Sequence, residues 1–599
     1  MLHLPHHDSS VHYVSNPSPT PGETVTVQME APPTAGIDEA LLRTMVDGEA
    51  RWIEGSPATA ENGNRWSFEL PCHNQVVNYR FWYRTGDDAH WLTGIGCIDH
   101  DPLDQFDFRL LTTGSAPDWV PNTVWYQIFP DRFASTGRYN TDLPDWAWAS
   151  EWDDEVASGP EAMTQLYGGD LDGIIEHLDH LAGLGISGVY LTPVFPARSN
   201  HRYDAQTFDN VDPLLGGDEA LIRLKQACDE RGMRLMTDLT LNHTGDTHEW
   251  FEAAKLDPNS PEAGFYYFVE HPNRYETWLG VSSLPKLNHA SSELASRFYD
   301  GPDSVVARYL KPPFDLAGWR IDVANMTGRL GQIDLNAQVR QATRATMEAI
   351  DGERWLVGEH FFDASRDAAG DGWHGVMNYT GIARPIVSWL GKFSTLAAMM
   401  PGPGQDGRDG QAVARALDEV RASMPWQITL GSMALLSSHD TARWRTMARS
   451  DDLAKVGFGL LCTLPGTPCF FFGDEVGLEA ADSEKARRPM PWDESQWNHE
   501  FLSWYRALIA MRTESEALAV GGMRWVERQP DALSFLRETA NERLLVRAAR
   551  AVAAPLDIDS DLLNATDLTL LAGAGTATVE GSLVRFDIAD VGFAVWRLG

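Results

Sequence analysis

Four short runs that begin apolar and β-prone and end in acidic or imidazole residues recur in order through the second half of the chain: Met236–His243 (MTDLTLNH), Gly318–Asp322 (GWRID), Leu356–His360 (LVGEH) and Leu435–Asp440 (LLSSHD). Unbroken apolar character suits strands buried on both faces, and the polar residues fall where each run leaves the sheet. Helical patterns alternate with such runs. Val124–Phe129 reads as a strand, and a helix follows from Leu171 with Ile174, Ile175, Leu178, Leu181 and Leu184 on one face. Gly188–Thr192 is the next strand, and a helix over Asp218–Arg231 leads into Arg234–Asp238. Later units start at Gly318, Trp355, Val376, Leu435 and Pro468, and Phe501, Leu502, Tyr505, Leu508 and Ile509 mark the last helix. Repeated strand, crossover and parallel strand predict an α/β chain built on a (β/α)8 barrel over about residues 119–514, with its chemistry at the C-terminal mouth.

Between His243 and Gly318 the spacing exceeds a normal βα loop and carries Trp250, Tyr266, Tyr267 and Trp278. An inserted subdomain after the third strand, about 244–300, is expected there as one wall of a substrate cleft. Outside the barrel the period changes to two. Val25, Val27 and Met29, then Trp66, Phe68 and Leu70, then Val77, Tyr79, Phe81 and Tyr83 alternate within residues 1–118. Short strands return over 515–599, at Leu533–Leu536, Leu544–Val546, Leu583–Ile588 and Phe593–Leu598. Both ends therefore predict β-sandwich domains, the first resembling a carbohydrate-binding module.

Composition narrows the ligand. A chain of 599 residues, 43% apolar and 22% charged, is globular and exceeds one hydrophobic core. Its formal charge of -37 argues against nucleic acid and anionic membrane as partners and leaves a neutral ligand such as a sugar. No run is long enough to cross a bilayer and the start lacks a signal-peptide pattern, so a cytoplasmic protein is expected. The five cysteines are scattered without CxxC spacing, which points to buried reduced thiols.

The strand ends carry the chemistry of glycosidic cleavage, which needs one carboxylic acid to protonate the leaving oxygen and a second carboxylate to attack or to activate water. Asp322 and Glu359 end the expected fourth and fifth strands. Neighbouring strands lie about 4.8 Å apart, which matches the roughly 5 Å separation of a retaining pair. Arg320, two residues before Asp322, shares its face and is expected to keep that carboxylate ionised. Glu359 is expected to hold its proton through crowding by carboxylates. Taken singly, an Asp or Glu at a strand end is often only a helix cap, and His243 and His439 suit ordinary loop histidines. The weight lies in the ordered set on one barrel face.

Asp238 with Asn242 and His243, Arg320 with Asp322, Glu359, and His439 with Asp440 resemble the four ordered motifs of the α-amylase superfamily, glycoside hydrolase family 13, from about Val124 onward. The resemblance implies Asp322 as nucleophile, Glu359 as general acid/base and Asp440 as the third carboxylate. It further implies that His243 and His439 bind hydroxyls of the reacting sugar, that Tyr203 stacks beneath it, and that Tyr379 lies near the acceptor. LPKLN (Leu284–Asn288), GEHFFDA (Gly358–Ala364) and SHDTAR (Ser438–Arg443) look like the neopullulanase, cyclomaltodextrinase and maltodextrin glucosidase group. That likeness implies cleavage of α-1,4 bonds, with tolerance of α-1,6 bonds, in short or cyclic malto-oligosaccharides, and a homodimer through the N-terminal domain.

Two departures stand out. One extra residue separates Asp482 from Arg487, the pair that by resemblance contacts the second donor-side sugar. The family's calcium loop is replaced by ASTGRYNTDLPDW, leaving Asn140, Asp142 and above all Asp170 as oxygen ligands for a structural calcium; the chemistry itself needs no cofactor. A glucan-transferring enzyme and a non-catalytic glycan-binding relative are the alternatives. The second requires lost carboxylates, and all three are present.

Overall fold

Eight parallel strands close into a barrel: β1 (Trp125–Ile128), β2 (Gly188–Leu191), β3 (Arg234–Leu239), β4 (Gly318–Ile321), β5 (Trp355–His360), β6 (Gly375–Asn378), β7 (Met433–Ala434) and β8 (Thr467–Phe471). The computed structural model describes residues 1–599 apart from 61–62, 141, 393–406, 566 and 589. Closure is made by β1 and β8, where Trp125 lies in register with Cys469. Every residue of β1, β2, β4, β5, β6, β7 and β8 is buried, the condition that favours the apolar runs seen in the sequence. Gly318 opens β4 because nothing larger fits: a Cβ there would stand 1.9 Å from the Trp355 carbonyl oxygen.

Register sets the site. Asp238 on β3 pairs with Arg320 on β4. Ile321 pairs with Gly358 on β5, so the next residues, Asp322 and Glu359, emerge side by side from adjacent strands.

Three elements differ from the sequence reading. Leu435–Asp440 is not a strand but the loop beyond β7, because its Ser and Thr side chains bond locally instead of extending the ladder. Ser438 N–H donates to Thr441 Oγ1 at 3.0 Å, and Ser437 Oγ donates to Asp474 Oδ2 at 2.7 Å. The helix from Leu171 is two, Leu171–Glu176 and Leu178–Leu184, broken at His177, whose ring stacks on Trp492 at 3.6 Å. In the insertion, built on Glu249–Leu256, a small hairpin and Ser292–Phe298, Trp250 packs on Phe265 and Phe298 while buried Tyr266 bonds Thr244. These two rings form the subdomain's own core rather than a cleft wall; Trp278 alone of the four aromatics reaches His243, at 6.0 Å between ring centres.

The flanking regions are two-sheet β-domains. In the first, Thr24–Ala31, Ser56–Ala60 and Gly63–Pro71 face a sheet containing Glu39–Val46, Glu49–Glu54, Val76–Thr85 and Asp88–Thr93, with Val25, Val27, Met29, Phe68, Leu70, Tyr79 and Phe81 buried between them. In the last, a five-stranded and a three-stranded sheet follow a short helix, Glu516–Val520. Gly522–Arg528, Leu556–Asp559, Leu568–Gly573 and Gly575–Glu580 are strands beyond those read from sequence. All five cysteines are free thiols, and no described helix is long and apolar enough to cross a membrane.

Candidate active site

Arg320 is the hub of the barrel mouth. It is fully buried, and its Nη1 lies 2.7 Å from Asp238 Oδ2 and 3.0 Å from Asp322 Oδ1 while Nη2 lies 2.7 Å from Glu359 Oε1. One guanidinium thus bridges both strand-end carboxyls. Glu359 Oε2 also accepts the Val323 N–H at 2.7 Å. Asp322 keeps Oδ2 without a partner, 3.9 Å from His243 Nε2. That oxygen is the one available for attack.

Asp440 approaches from the loop after β7, with Oδ2 at 3.2 Å from His439 Nε2 and Oδ1 at 3.2 Å from Arg487 Nη2. His439 is held in place: Gln127 Nε2 lies 2.8 Å from its Nδ1 and Tyr203 OH 2.6 Å from its Nε2. The Tyr203 and Tyr190 hydroxyls both donate to Asp238 Oδ2, at 2.9 and 2.8 Å. The Tyr203 ring lies parallel to His439, 5.6 Å away. On the opposite wall Asn242 Nδ2 faces His243 Nδ1 at 3.1 Å, and Lys286 Nζ donates to Asn242 Oδ1 at 2.5 Å. With Nδ1 of each imidazole facing an amide nitrogen, Nε2 carries the proton and points toward the carboxylates.

Electrostatics separates the acids. Burial raises Glu359 to about 7, with Asp440 adding to the rise and Arg320 opposing it. Asp322 is also driven well above its ordinary value, by burial and then by Glu359, so the two titrate as one unit. Arg320 opposes this rise, in the direction expected of it, but its single charge is divided among three carboxyls, and burial and Glu359 act against it at Asp322. Asp440 is lowered: burial opposes its ionisation, but His439, Arg487 and Arg320 outweigh it. Burial holds His243 and His439 down at about 3, so both are neutral donors in ordinary buffers.

Of the residues singled out in the sequence, Asp322, Glu359, Asp440, Arg320, His243, His439, Tyr203 and Arg487 converge here. Asp482 does not. It is exposed and caps the one-turn helix Ser483–Ala486, accepting the Lys485 N–H. Tyr379 is fully buried behind Phe361, ring centres 4.2 Å apart, with its hydroxyl on Ser438. Gln127, Tyr190 and Lys286 were not recognised. A polar Gln and a Tyr hydroxyl inside the short buried strands WYQI and GVYL are the available signal, since a buried polar group needs a partner.

The calcium reading is not supported by these residues. Asp170 caps Leu171–Glu176: Oδ1 accepts the Gly173 N–H at 2.7 Å, and Oδ2 accepts from Thr136 N and Oγ1, each at 2.8 Å. Asn140 turns its Nδ2 to the Gly168 carbonyl and Asp142 is exposed. Three donors already occupy most of the roughly four lone-pair sites of the Asp170 carboxylate, calcium takes six to eight oxygens, and no cluster of three or more metal-ligating acids, His or Cys occurs among the described residues.

Residues 127–520 match the profile of the alpha amylase catalytic domain. The chain is 32% identical over 515 residues to a cyclomaltodextrinase of Geobacillus thermopakistaniensis (strain MAS1), covering 83% of this chain and 82% of that protein. It is 30% identical over 442 residues to an intracellular maltogenic amylase of Bacillus subtilis, covering 72% and 69%. Among solved structures it resembles the cyclic alpha-maltosyl-(1→6)-maltose hydrolase of Arthrobacter globiformis in complex with that ring, with a TM-score of 0.66, 28% identity and coverage of 81% and 100%.

Proposed function

The chain belongs to the α-amylase family and is a glycoside hydrolase, and from that premise we propose that it cleaves α-1,4-glucosidic bonds of short or cyclic malto-oligosaccharides, accepting α-1,6 bonds as well, with retention of anomeric configuration. The observation that carries this reading is the shared guanidinium of Arg320, which sets Asp322 and Glu359 at one bond with an unpartnered Asp322 oxygen between them and His243. The relatives supply the substrate class: one acts on cyclomaltodextrins by name, and another is solved with a mixed-linkage maltosyl ring.

In the first step, with the one proton of the coupled pair on Glu359, the Asp322 carboxylate attacks the anomeric carbon through Oδ2 as the bond from that carbon to the leaving oxygen breaks, and Glu359 gives that oxygen its proton. Asp440, kept ionised by His439 and Arg487, stabilises the positive charge that develops on the sugar. Water then adds to the anomeric carbon, Glu359 takes its proton, and the bond to Asp322 breaks. The neutral His243 and His439 donate to sugar hydroxyls throughout. An intracellular setting follows the named Bacillus relative, and a homodimer through the N-terminal domain extends the same likeness.

The test is chromatography of products from cyclodextrins, mixed-linkage rings, pullulan and maltotriose, with NMR of the first-formed anomer. Rapid release of the α-anomer from rings is expected. Release of the β-anomer, or turnover by Asp322→Asn at the native rate, overturns the assignment.

A further inference from the structure

Lys286 carries a positive charge into the interior with no carboxylate beside it. The residue is 2% exposed. Among the described residues its Nζ meets two oxygens, the Asn242 side-chain oxygen at 2.5 Å and the Met326 carbonyl at 3.1 Å. Burial pulls the ammonium down to about 8, with no neighbouring acid opposing the fall. A cation desolvated on such terms works against the fold, and an apolar residue of the same length would fill the space. The main chain delivers it to that place. Leu287 N–H donates to the Asn242 carbonyl at 3.1 Å and Thr244 N–H to the Pro285 carbonyl at 3.3 Å, with Lys286 and His243 paired between them.

We propose that Lys286 is a positioning residue for glycosidic cleavage: because its ammonium can only donate, it decides which end of the Asn242 amide faces His243, and so which imidazole nitrogen presents a proton beside Asp322. The inference deepens the glycosidase reading above and rests on it for the reaction.

The polarity of each contact follows from the one before. An ammonium has three N–H donors and no acceptor, so Asn242 must offer it Oδ1. That leaves the Asn242 Nδ2 donor 3.1 Å from His243 Nδ1, which therefore accepts. A neutral imidazole carries a single N–H, and here it must be on Nε2. This Nε2 has no hydrogen-bond partner within the protein, and neither has Asp322 Oδ2, 3.9 Å away. A hydroxyl of the reacting sugar can accept from that N–H.

A hydroxyl or an amide in place of Lys286 could donate or accept, and Asn242 would be free to turn over. Once reversed, its Oδ1 would draw the proton to His243 Nδ1, and Nε2 would face Asp322 Oδ2 lone pair to lone pair. The charge on Lys286 has a second effect. Together with burial, which is the larger cause, it holds His243 down at about 3, so the ring stays neutral and does not pair with the carboxylate that has to attack.

The experiment is nitrogen NMR of the full-length, sugar-free protein carrying isotope-labelled histidine, with the His243 signals identified by their loss in His243→Gln. It is run beside kcat and KM on a cyclodextrin and maltotriose. In the parent at about pH 6, where Lys286 is charged, the proton is expected on Nε2 alone. Lys286→Met keeps the length of the side chain without its charge. A substantial share of His243 is then expected to carry its proton on Nδ1, and kcat to fall about tenfold to a hundredfold with KM changed less than about threefold, since the donor acts most on the reacting sugar as charge develops. Asn242→Asp keeps an oxygen for Lys286 and turns a second one to His243, so Nδ1 is expected to be protonated throughout; this variant also serves if Lys286→Met misfolds. Protonation of Nε2 alone in either folded variant overturns the proposal, even where activity is lost, because Lys286 then only braces the insertion. A kcat within about twofold of the parent in a variant whose proton has moved overturns it equally. The proton is read without substrate, so a parent that leaves glucans intact dismisses the glycosidase reading and leaves the NMR comparison standing.

Discussion

Val323 donates its backbone N–H to Glu359 Oε2 at 2.7 Å from a left-handed backbone with φ of 46°. A β-branched residue rarely adopts that region, at a cost of about 1–3 kcal/mol. The strain falls one residue after Asp322, where β4 ends, and it turns the N–H across to β5. Replacement by Gly keeps the N–H and removes the strain, but it also removes a side chain only 8% exposed. Those opposing effects leave Val323→Gly roughly 1 kcal/mol less stable at most. Its kcat is expected within about threefold of the parent, since the donor to Glu359 is unchanged. A collapse of kcat in a folded variant would show that the side chain, not the N–H, positions the acid.

The proton on Glu359 governs the alkaline limb of activity. Burial and Asp440 hold this carboxyl up at about 7, so the protonated fraction, and kcat/KM with it, falls as pH rises through that value. Glu359→Gln is expected to lose on the order of 10²–10⁴ in turnover of glucans, with far less loss in the first step on a nitrophenyl glycoside, whose leaving group needs no proton. Profiles of kcat/KM against pH on both substrates check this; equal losses on both would remove Glu359 from the acid role.

Stability runs in the same direction as activity, falling as pH rises. A carboxyl raised above its unfolded value stabilises the fold fully at pH below that unfolded value, and this contribution is lost as pH rises through the folded one. Glu359, at about 7, is therefore a buried charge working against the fold at pH 8. Glu359→Gln is expected to be more stable than the parent at pH 8, by up to about 3 kcal/mol, and to gain nothing at pH 4. Denaturant titrations at both pH values test it. A variant equally stabilised at both would point to packing instead of ionisation.

Much of this centre is legible in the chain because it is local to strand ends: Asp322 two residues after Arg320, His439 beside Asp440, Glu359 where an apolar run stops. What sequence hides is the division of charge. Arg320 lies in register with Asp238 and reaches β5 as well, so its effect on Asp322 depends on three partners that are 82, 2 and 39 residues away along the chain. Aromatic density misleads for a related reason. Trp250 and Tyr266 look like cleft residues until the insertion is seen to need a core of its own. The loop after β7 also resists reading, because Leu435 and Leu436 are buried and apolar while the Ser and Thr that follow break the ladder.

The first residues of the chain bind the two flanking β-domains together, and that arrangement predicts a selective loss of stability. Asp8 Oδ2 accepts the Met523 N–H at 2.7 Å, and Arg524 Nη2 donates to the Leu2 and Leu4 carbonyls at 3.1 Å each while its Nη1 reaches Glu30 at 3.1 Å. Burial works against ionisation of Asp8, yet His6 and Ser10 hold its carboxyl well below the usual range. Arg524→Ala leaves Glu30 and two carbonyls without this donor, a loss of about 2–4 kcal/mol for a largely buried pair. Because Arg524 lies on the C-terminal domain and touches none of the mouth residues, kcat at 25 °C is expected to stay at the parent value while the melting temperature falls and the N-terminal domain unfolds in a separate, earlier transition. Differential scanning calorimetry distinguishes the cases: an unshifted single transition would mean that the barrel itself, through Arg109 on the Ala422 carbonyl and Gln427 on Pro17 and Leu111, is what holds the N-terminal domain in place.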